Sequence, residues 1–126
     1  MASNRYTTAH ANPKGAGDAR PTALQIVEDE GLTGKLTDKV FVVTGVSSGI
    51  GVETMRALYA TGGHVFGTVR NLAKGQKAVD EVKAKTKGGE ITLIEMDQES
   101  LASVRKAAEE VLKQTKAINV LINNAG

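Results

Sequence analysis

No cysteine occurs in the chain, which removes thiolate catalysis, a disulfide framework and a cysteine-based zinc site together. Tryptophan is missing as well, and with two phenylalanines and two tyrosines the aromatic share is 3%. A core must then be built from Val, Ile, Leu, Ala and Met, which suits a buried parallel sheet with covering helices. An excess of one charge is lacking too. The 16 basic and 14 acidic residues leave +2, too little and too evenly spread for a nucleic-acid surface. The two histidines, His10 and His64, have no companions at metal-ligand spacing, so no metal is expected. No apolar run approaches the roughly 18 to 20 residues that cross a bilayer. The segment MASNRYTTAHANPKGAGDAR, residues 1–20, has no apolar core of a secretory signal, and a cytoplasmic protein is the expectation. With 126 residues there is room for one domain.

Within that length the composition changes twice. Residues 1–20 are polar, punctuated by Pro13 and Pro21, and show no regular period, which predicts a disordered tail. Residues 21–35 read as a short lead-in helix, with Thr22 as N-cap, Leu24 and Val27 on one face, and Gly31 and Gly34 as stops. From residue 36 to 126 apolar strands alternate with amphipathic helices. VFVVT is the first strand. The helix after it carries Val52, Met55 and Leu58 or Tyr59 on one face and ends at Gly62 and Gly63. HVFGTV, His64 to Val69, is the second strand, and Asn71 caps a polar helix running to about Thr86. ITLIEM, Ile91 to Met96, is the third strand. A helix from about Glu99 to Lys116 places Leu101, Val104, Ala108 and Val111 or Leu112 on one stripe, and INVLI, Ile118 to Ile122, is the fourth strand. The order β-α-β-α-β-α-β predicts an α/β fold, the first half of a Rossmann-type doubly wound parallel sheet with strand order 3-2-1-4.

The first strand runs into TGVSSGIG, Thr44 to Gly51. A strand that turns on glycines into a helix brings unpaired backbone N–H groups and the positive end of the helix dipole to one point, where a pyrophosphate is stabilised. Gly45 permits the turn, Gly49 admits backbone close to phosphate, and Gly51 allows helix and strand to pack closely. Ser47 and Ser48 add hydroxyl donors, and Ile50 completes the candidate cradle. The phosphate loop of nucleoside triphosphatases is excluded, because it needs a Lys after its last glycine and Ile50 stands after Gly49. A purely structural glycine turn is the alternative.

TGVSSGIG after the first strand, Asp97 after the third and NNAG (Asn123 to Gly126) after the fourth resemble the short-chain dehydrogenase/reductase family. The resemblance covers about residues 36–126, and the wording from Thr44 to Asn71 is similar to the branch of retinol dehydrogenases and WW-domain oxidoreductases. The glycine spacing differs from that of the extended, epimerase-like relatives. The resemblance implies a nicotinamide cofactor, with Asp97 accepting from the adenine amino group and with Asn123, Asn124, Ala125 and Gly126 lining adenosine and ribose. It also implies that Asn123 and Asn124 tie neighbouring strands together. A helix cap is the alternative role for Asp97.

At the end of the second strand, where the family's NAD users carry an Asp, the chain has Val69, and Arg70 follows. A guanidinium pairs with a phosphate, so NADP(H) is expected ahead of NAD(H); a solvated surface arginine is the alternative. The family's catalytic Ser and Tyr-x-x-x-Lys lie downstream of NNAG and have no counterpart here. Four residues after Tyr6 stands His10, and four after Tyr59 stands Gly63. No catalytic residue is therefore assigned. The expectation is the cofactor half of a longer oxidoreductase, inactive alone, with Val120 to Ile122 as an exposed apolar edge. The resemblance implies a small lipophilic alcohol or ketone as substrate of the full enzyme, and a homodimer or tetramer is common in the family. A non-catalytic dinucleotide-binding or interaction module is the other reading.

Overall fold

β-branched residues dominate four segments that lie side by side as strands, and helices with one apolar face fill the intervals. The computed structural model describes residues 4–126, so Met1, Ala2 and Ser3 lie outside it. The elements in chain order are α1 (Thr7–His10), α2 (Ala23–Asp29), β1 (Val40–Thr44), α3 (Gly49–Ala60), β2 (His64–Val69), α4 (Leu72–Lys85), β3 (Glu90–Glu95), α5 (Leu101–Gln114) and β4 (Val120–Ile122). All strand pairs are parallel, in the order β3-β2-β1-β4. That is the expected order, the first half of a doubly wound sheet.

Side-chain alternation along the strands assigns each face its helices. Phe41 and Val43 of β1, Val65 of β2 and Ile91 of β3 pack with Val52, Met55 and Tyr59 of α3 and Val79 and Val82 of α4. The opposite face presents Val42, Phe66 and Ile94 to Ala107 and Val111 of α5. Phe66, Met55 and Val43 are fully enclosed. Arg56 is buried to 8% exposure on the apolar side of α3, and its guanidinium reaches Glu53 (3.1 Å) and Glu81 of α4 (3.5 Å). Two asparagines close the β1–β4 pair, Asn119 at the amino end and Asn124 at the carboxyl end. Asn119 Oδ1 accepts from the Val40 N–H (2.8 Å), and the Asn119 N–H donates to the Val40 carbonyl (2.9 Å).

The disordered-tail expectation falls partly on Met1 to Ser3, outside the described residues. Residues 4–20 contain the single turn α1 and two links to α2: Arg5 pairs with Glu30 (3.1 Å), and the Tyr6 hydroxyl donates to Asp29 Oδ2 (2.7 Å). The Tyr6 hydrogen bond draws the Asp29 carboxyl below its ordinary value, and Arg20 does so more strongly for Asp18. Both folded values are depressed, so these contacts stabilise at neutral pH and are lost as pH falls below the usual carboxylate range. The segment after α2 is tied to the end of α3, with the Gly34 N–H on the Ala60 carbonyl (3.0 Å) and the Leu36 N–H on the Thr61 carbonyl (2.8 Å).

Some boundaries move. β3 starts at Glu90 and ends at Glu95, α5 ends at Gln114, and β4 is confined to Val120–Ile122 because only these residues align with Phe41 to Val43 of β1. The apolar stripe of α5 is also displaced. Leu101 and Leu112 are 74% and 64% exposed and Ala108 is exposed, whereas Ala107 and Val111 are buried. The helix is rotated so that Ala107 and Val111 meet Val42, Phe66 and Ile94, where a small residue lets helix and sheet approach closely. Replacing Val111 by Ala is expected to cost about 1.5 kcal/mol or more in urea unfolding, from lost burial and the cavity left. Leu112→Ala should stay within about 0.5 kcal/mol. The reverse ranking would place the wrong face of α5 against the sheet.

Candidate functional site

β1 ends at Thr44, and the chain must leave the sheet there without an abrupt loss of hydrogen bonds. It does so through the second strand: the N–H groups of Gly45 and Val46 both donate to the Thr68 carbonyl of β2 (3.1 Å each). Gly45 has φ +73°, a left-handed conformation that side chains resist. The next side chain, Val46, turns inward and is wholly buried, and a Cβ on Gly67 of β2 would stand 2.5 Å from its Cγ2. Gly67 therefore makes the slot that holds the turn down.

Gly49, with φ +61°, opens α3, and Ser48 precedes it in extended conformation. Thr22, Asn71 and Ser100 each cap their helix through a side-chain oxygen, but Ser48 makes no such bond. The first N–H groups of α3 are thus left without a side-chain cap, beside the Ser47 and Ser48 hydroxyls. Helix and turn are pressed together here. A Cβ on Gly51 would collide with the Gly45 carbonyl oxygen, and one on Gly45 would stand 2.9 Å from the Ala125 Cβ.

The carboxyl end of β4 is fastened to the same point. Thr44 Oγ1 accepts from the N–H groups of Asn124 and Ala125 (3.1 Å each), and Asn124 Nδ2 donates to the Gly45 carbonyl (3.0 Å). Asn124 thus ties β4 to β1, whereas the Asn123 side chain is exposed and forms no comparable tie among the described residues.

These ties bring the carboxyl ends of all strands to the rim of one cleft of about 520 Å³. Gly45, Ser47 and Ser48 line it after β1, Arg70 after β2, Asp97 after β3, and Asn124, Ala125 and Gly126 after β4. Gly49, Ile50, Gly51 and Asn123 are outside its lining. Gly49 and Ile50 border a second cleft on the outer side of the turn, and Gly51 is buried under it. Arg70 is exposed and makes no ion pair among the described residues. Asp97 is half-buried. Its Oδ1 accepts from the Glu99 N–H (3.0 Å), and its own N–H donates to Ser103 Oγ (2.8 Å). The cap of α5 is Ser100, whose Oγ accepts from the Ser103 N–H (3.2 Å), so the helix-cap role falls three residues beyond Asp97.

Thr44, Val46 and Thr68 hold the site together and were not singled out from the sequence; Met96, Gln98 and Glu99 also line the cleft. The available signal was a hydroxyl-bearing, β-branched residue at the end of an apolar strand, immediately before the first glycine. A polar-rimmed cleft with clustered hydroxyls and a guanidinium that makes no ion pair among the described residues, next to a helix start without a side-chain cap, is suited to an anionic ligand such as a dinucleotide. Among the described residues no group of three or more His, Asp or Glu side chains is placed to hold a metal ion, and no helix is long and apolar enough to cross a membrane. Thr44→Val, which leaves the N–H groups of Asn124 and Ala125 without their acceptor, should lower stability by about 1 to 3 kcal/mol in urea unfolding. An unchanged midpoint would show that the β1–β4 tie contributes nothing.

The family model described as short chain dehydrogenase matches residues 39–126. The short-chain dehydrogenase/reductase prx1 of Penicillium rubens is 48% identical over 122 residues, which are 97% of this chain and 35% of that protein. Retinol dehydrogenase 12 of Mus musculus is 38% identical over 92 residues, 73% of this chain and 29% of that protein. Among solved structures, a metagenomic short-chain oxidoreductase in complex with NADP is similar with a TM-score of 0.64 and 35% identity, over 70% of this chain and 39% of that one. The chain therefore spans about a third of the length of the curated relatives it matches.

Proposed function

The chain belongs to the short-chain dehydrogenase family, and on that premise we propose that residues 36–126 are the NADP(H)-binding part of an oxidoreductase. The parent enzyme would move a hydride between the nicotinamide and the carbon of an alcohol or carbonyl substrate. The observation that carries this reading is the cleft that joins Ser47 and Ser48 to Arg70 and Asp97, beside a helix start left without a side-chain cap. Gly45 and Gly51 support the fit, since a side chain at either would fill space that the turn and the NNAG segment need.

In this reading the N–H groups at Gly49, Ile50 and Gly51, with the Ser47 and Ser48 hydroxyls, hold the pyrophosphate against the positive end of α3. Arg70 holds the 2′-phosphate of the adenosine ribose, a dianion that a guanidinium can grip through two parallel N–H donors. Val69 leaves no carboxylate there to repel it. Asp97 accepts from the adenine amino group through the oxygen not used by the Glu99 N–H, and Asn124, Ala125 and Gly126 of the cleft wall border the adenosine, with Asn123, outside that wall, assigned beside them on the family resemblance alone. The bound dinucleotide supplies the hydride chemistry. No residue of the chain is assigned an acid, base or nucleophile role, and its share of the function is to bind and orient. The likeness to retinol dehydrogenase 12 supports a small lipophilic alcohol or ketone as substrate of the whole enzyme.

Arg70→Ala is expected to weaken NADPH binding about tenfold or more and NADH binding by less than about threefold, read by titrating nicotinamide fluorescence. Equal losses for the two cofactors would show that Arg70 does not select the phosphate.

A further inference from the structure

The arm that precedes β1, residues 4–35, is ordered without building core: α1 and α2 bury no residue, yet the arm is fastened at both ends of α2. On the near side the Asp18 carboxylate gathers the N–H groups of Lys14 (2.7 Å), Gly15 (3.1 Å) and Arg20 (3.0 Å) and the Arg20 Nε (2.9 Å) into one turn. Thr22 Oγ1 then accepts from the Gln25 N–H (3.1 Å) and caps α2. On the far side Tyr6 and Arg5 strap Asp29 and Glu30.

This arm lies along α3. Thr22 and Ala23 border the second cleft, of about 950 Å³, together with Ser47, Ser48, Gly49 and Ile50. At the other end the Gly34 N–H donates to the Ala60 carbonyl (3.0 Å). α2 therefore starts beside the first turn of α3, packs against that helix, and is followed by chain that reaches its last turn. The first turn of α3 has little support of its own: it lacks a side-chain cap, opens on the left-handed Gly49 (φ +61°) and carries Ile50 at 79% exposure. The extent of the sequence matches also sets the arm apart. The family model begins at residue 39 and retinol dehydrogenase 12 matches 73% of the chain, whereas the match to prx1 takes in 97% and so includes nearly all of the arm.

We propose that the arm is a positioning segment for the glycine turn: α2, held by its Thr22 cap and by the Asp18 turn, buttresses the first turn of α3 from outside and keeps residues 47–51 in the conformation that takes the pyrophosphate. This rests on the dinucleotide reading of that turn. A turn already held in its binding conformation loses less freedom when the ligand arrives, so the arm raises affinity without touching the ligand. The pyrophosphate is common to both cofactors. The arm's effect is therefore equal for NADPH and NADH, unlike that of Arg70.

The test uses three variants of the 126-residue chain: Thr22→Val removes the cap of α2, Thr22→Ser keeps it, and Val111→Ala lowers stability on the opposite face of the sheet. NADPH and NADH affinities come from calorimetric titration, the unliganded unfolding midpoint checks folding, and amide hydrogen exchange is read over residues 45–54. Thr22→Val is expected to weaken both cofactors by the same factor, about threefold to tenfold, and to speed exchange over residues 45–54. Thr22→Ser and Val111→Ala should bind as the unchanged chain does. Tyr6→Phe, at the far strap, should lose less in the same direction, and it decides alone if Thr22→Val lowers the midpoint by more than Val111→Ala does. Unchanged affinities in Thr22→Val, an equal loss in Val111→Ala, or a loss confined to NADPH would overturn the role of the arm and leave the dinucleotide reading in place. Failure of the unchanged chain to bind either cofactor would overturn both.

Discussion

The site depends on a pair of neighbouring groups at the end of β1: the Thr44 hydroxyl, which accepts from the Asn124 and Ala125 N–H groups, and the Gly45 carbonyl, which accepts from Asn124 Nδ2. Strands remote in sequence meet there, and closing so long a connection costs entropy that β4, with three residues, offsets only weakly through its ladder. Hydrogen bonds in a half-buried place supply the balance. The same contact dictates glycine at two positions, because a side chain at Gly45 would press on Ala125 and one at Gly51 would strike the Gly45 carbonyl. Glycines usually described by their closeness to a ligand are needed here first by the protein's own backbone.

From that anchor the remaining geometry follows. Thr68 receives the backbone of the turn, Val46 drops into the slot above Gly67, and α3 begins with no side-chain cap on its first N–H groups. A folded protein that caps α2, α4 and α5 through side chains and leaves the helix at the glycine turn uncapped keeps those donors available for an anion. The stability forgone is modest, about 1 kcal/mol for a cap, and a bound pyrophosphate would return it.

Much of this was legible in the sequence. The alternation of apolar strands with 3.6-period helices fixed the order of elements, Thr22 and Asn71 were readable as caps, and the right-handed crossover rule gave β3-β2-β1-β4. The glycine turn was visible because its residues are adjacent. What escaped detection was set by long-range contacts. Thr44 reads as an ordinary strand residue until Asn124 is placed beside it, and Arg56 reads as a solvated helix charge until α4 brings Glu81 to it. On α5, Leu101 and Leu112 are as apolar as Val111, so periodicity alone could not decide which flank of the stripe faces the sheet. Asp97 and Ser100 are both good capping residues three positions apart, and only the helix start separates their roles.

The most direct test of dinucleotide binding is thermal unfolding of the 126-residue chain with NADPH, with NADH and without ligand. A ligand that binds the folded state alone stabilises it by about 2.7 kcal/mol at a hundredfold excess over its dissociation constant, which raises the midpoint by several degrees. The expected result is an upward shift with both cofactors at equal concentration, larger with NADPH. A cooperative transition whose midpoint neither cofactor moves would contradict the assignment of the cleft as a dinucleotide site.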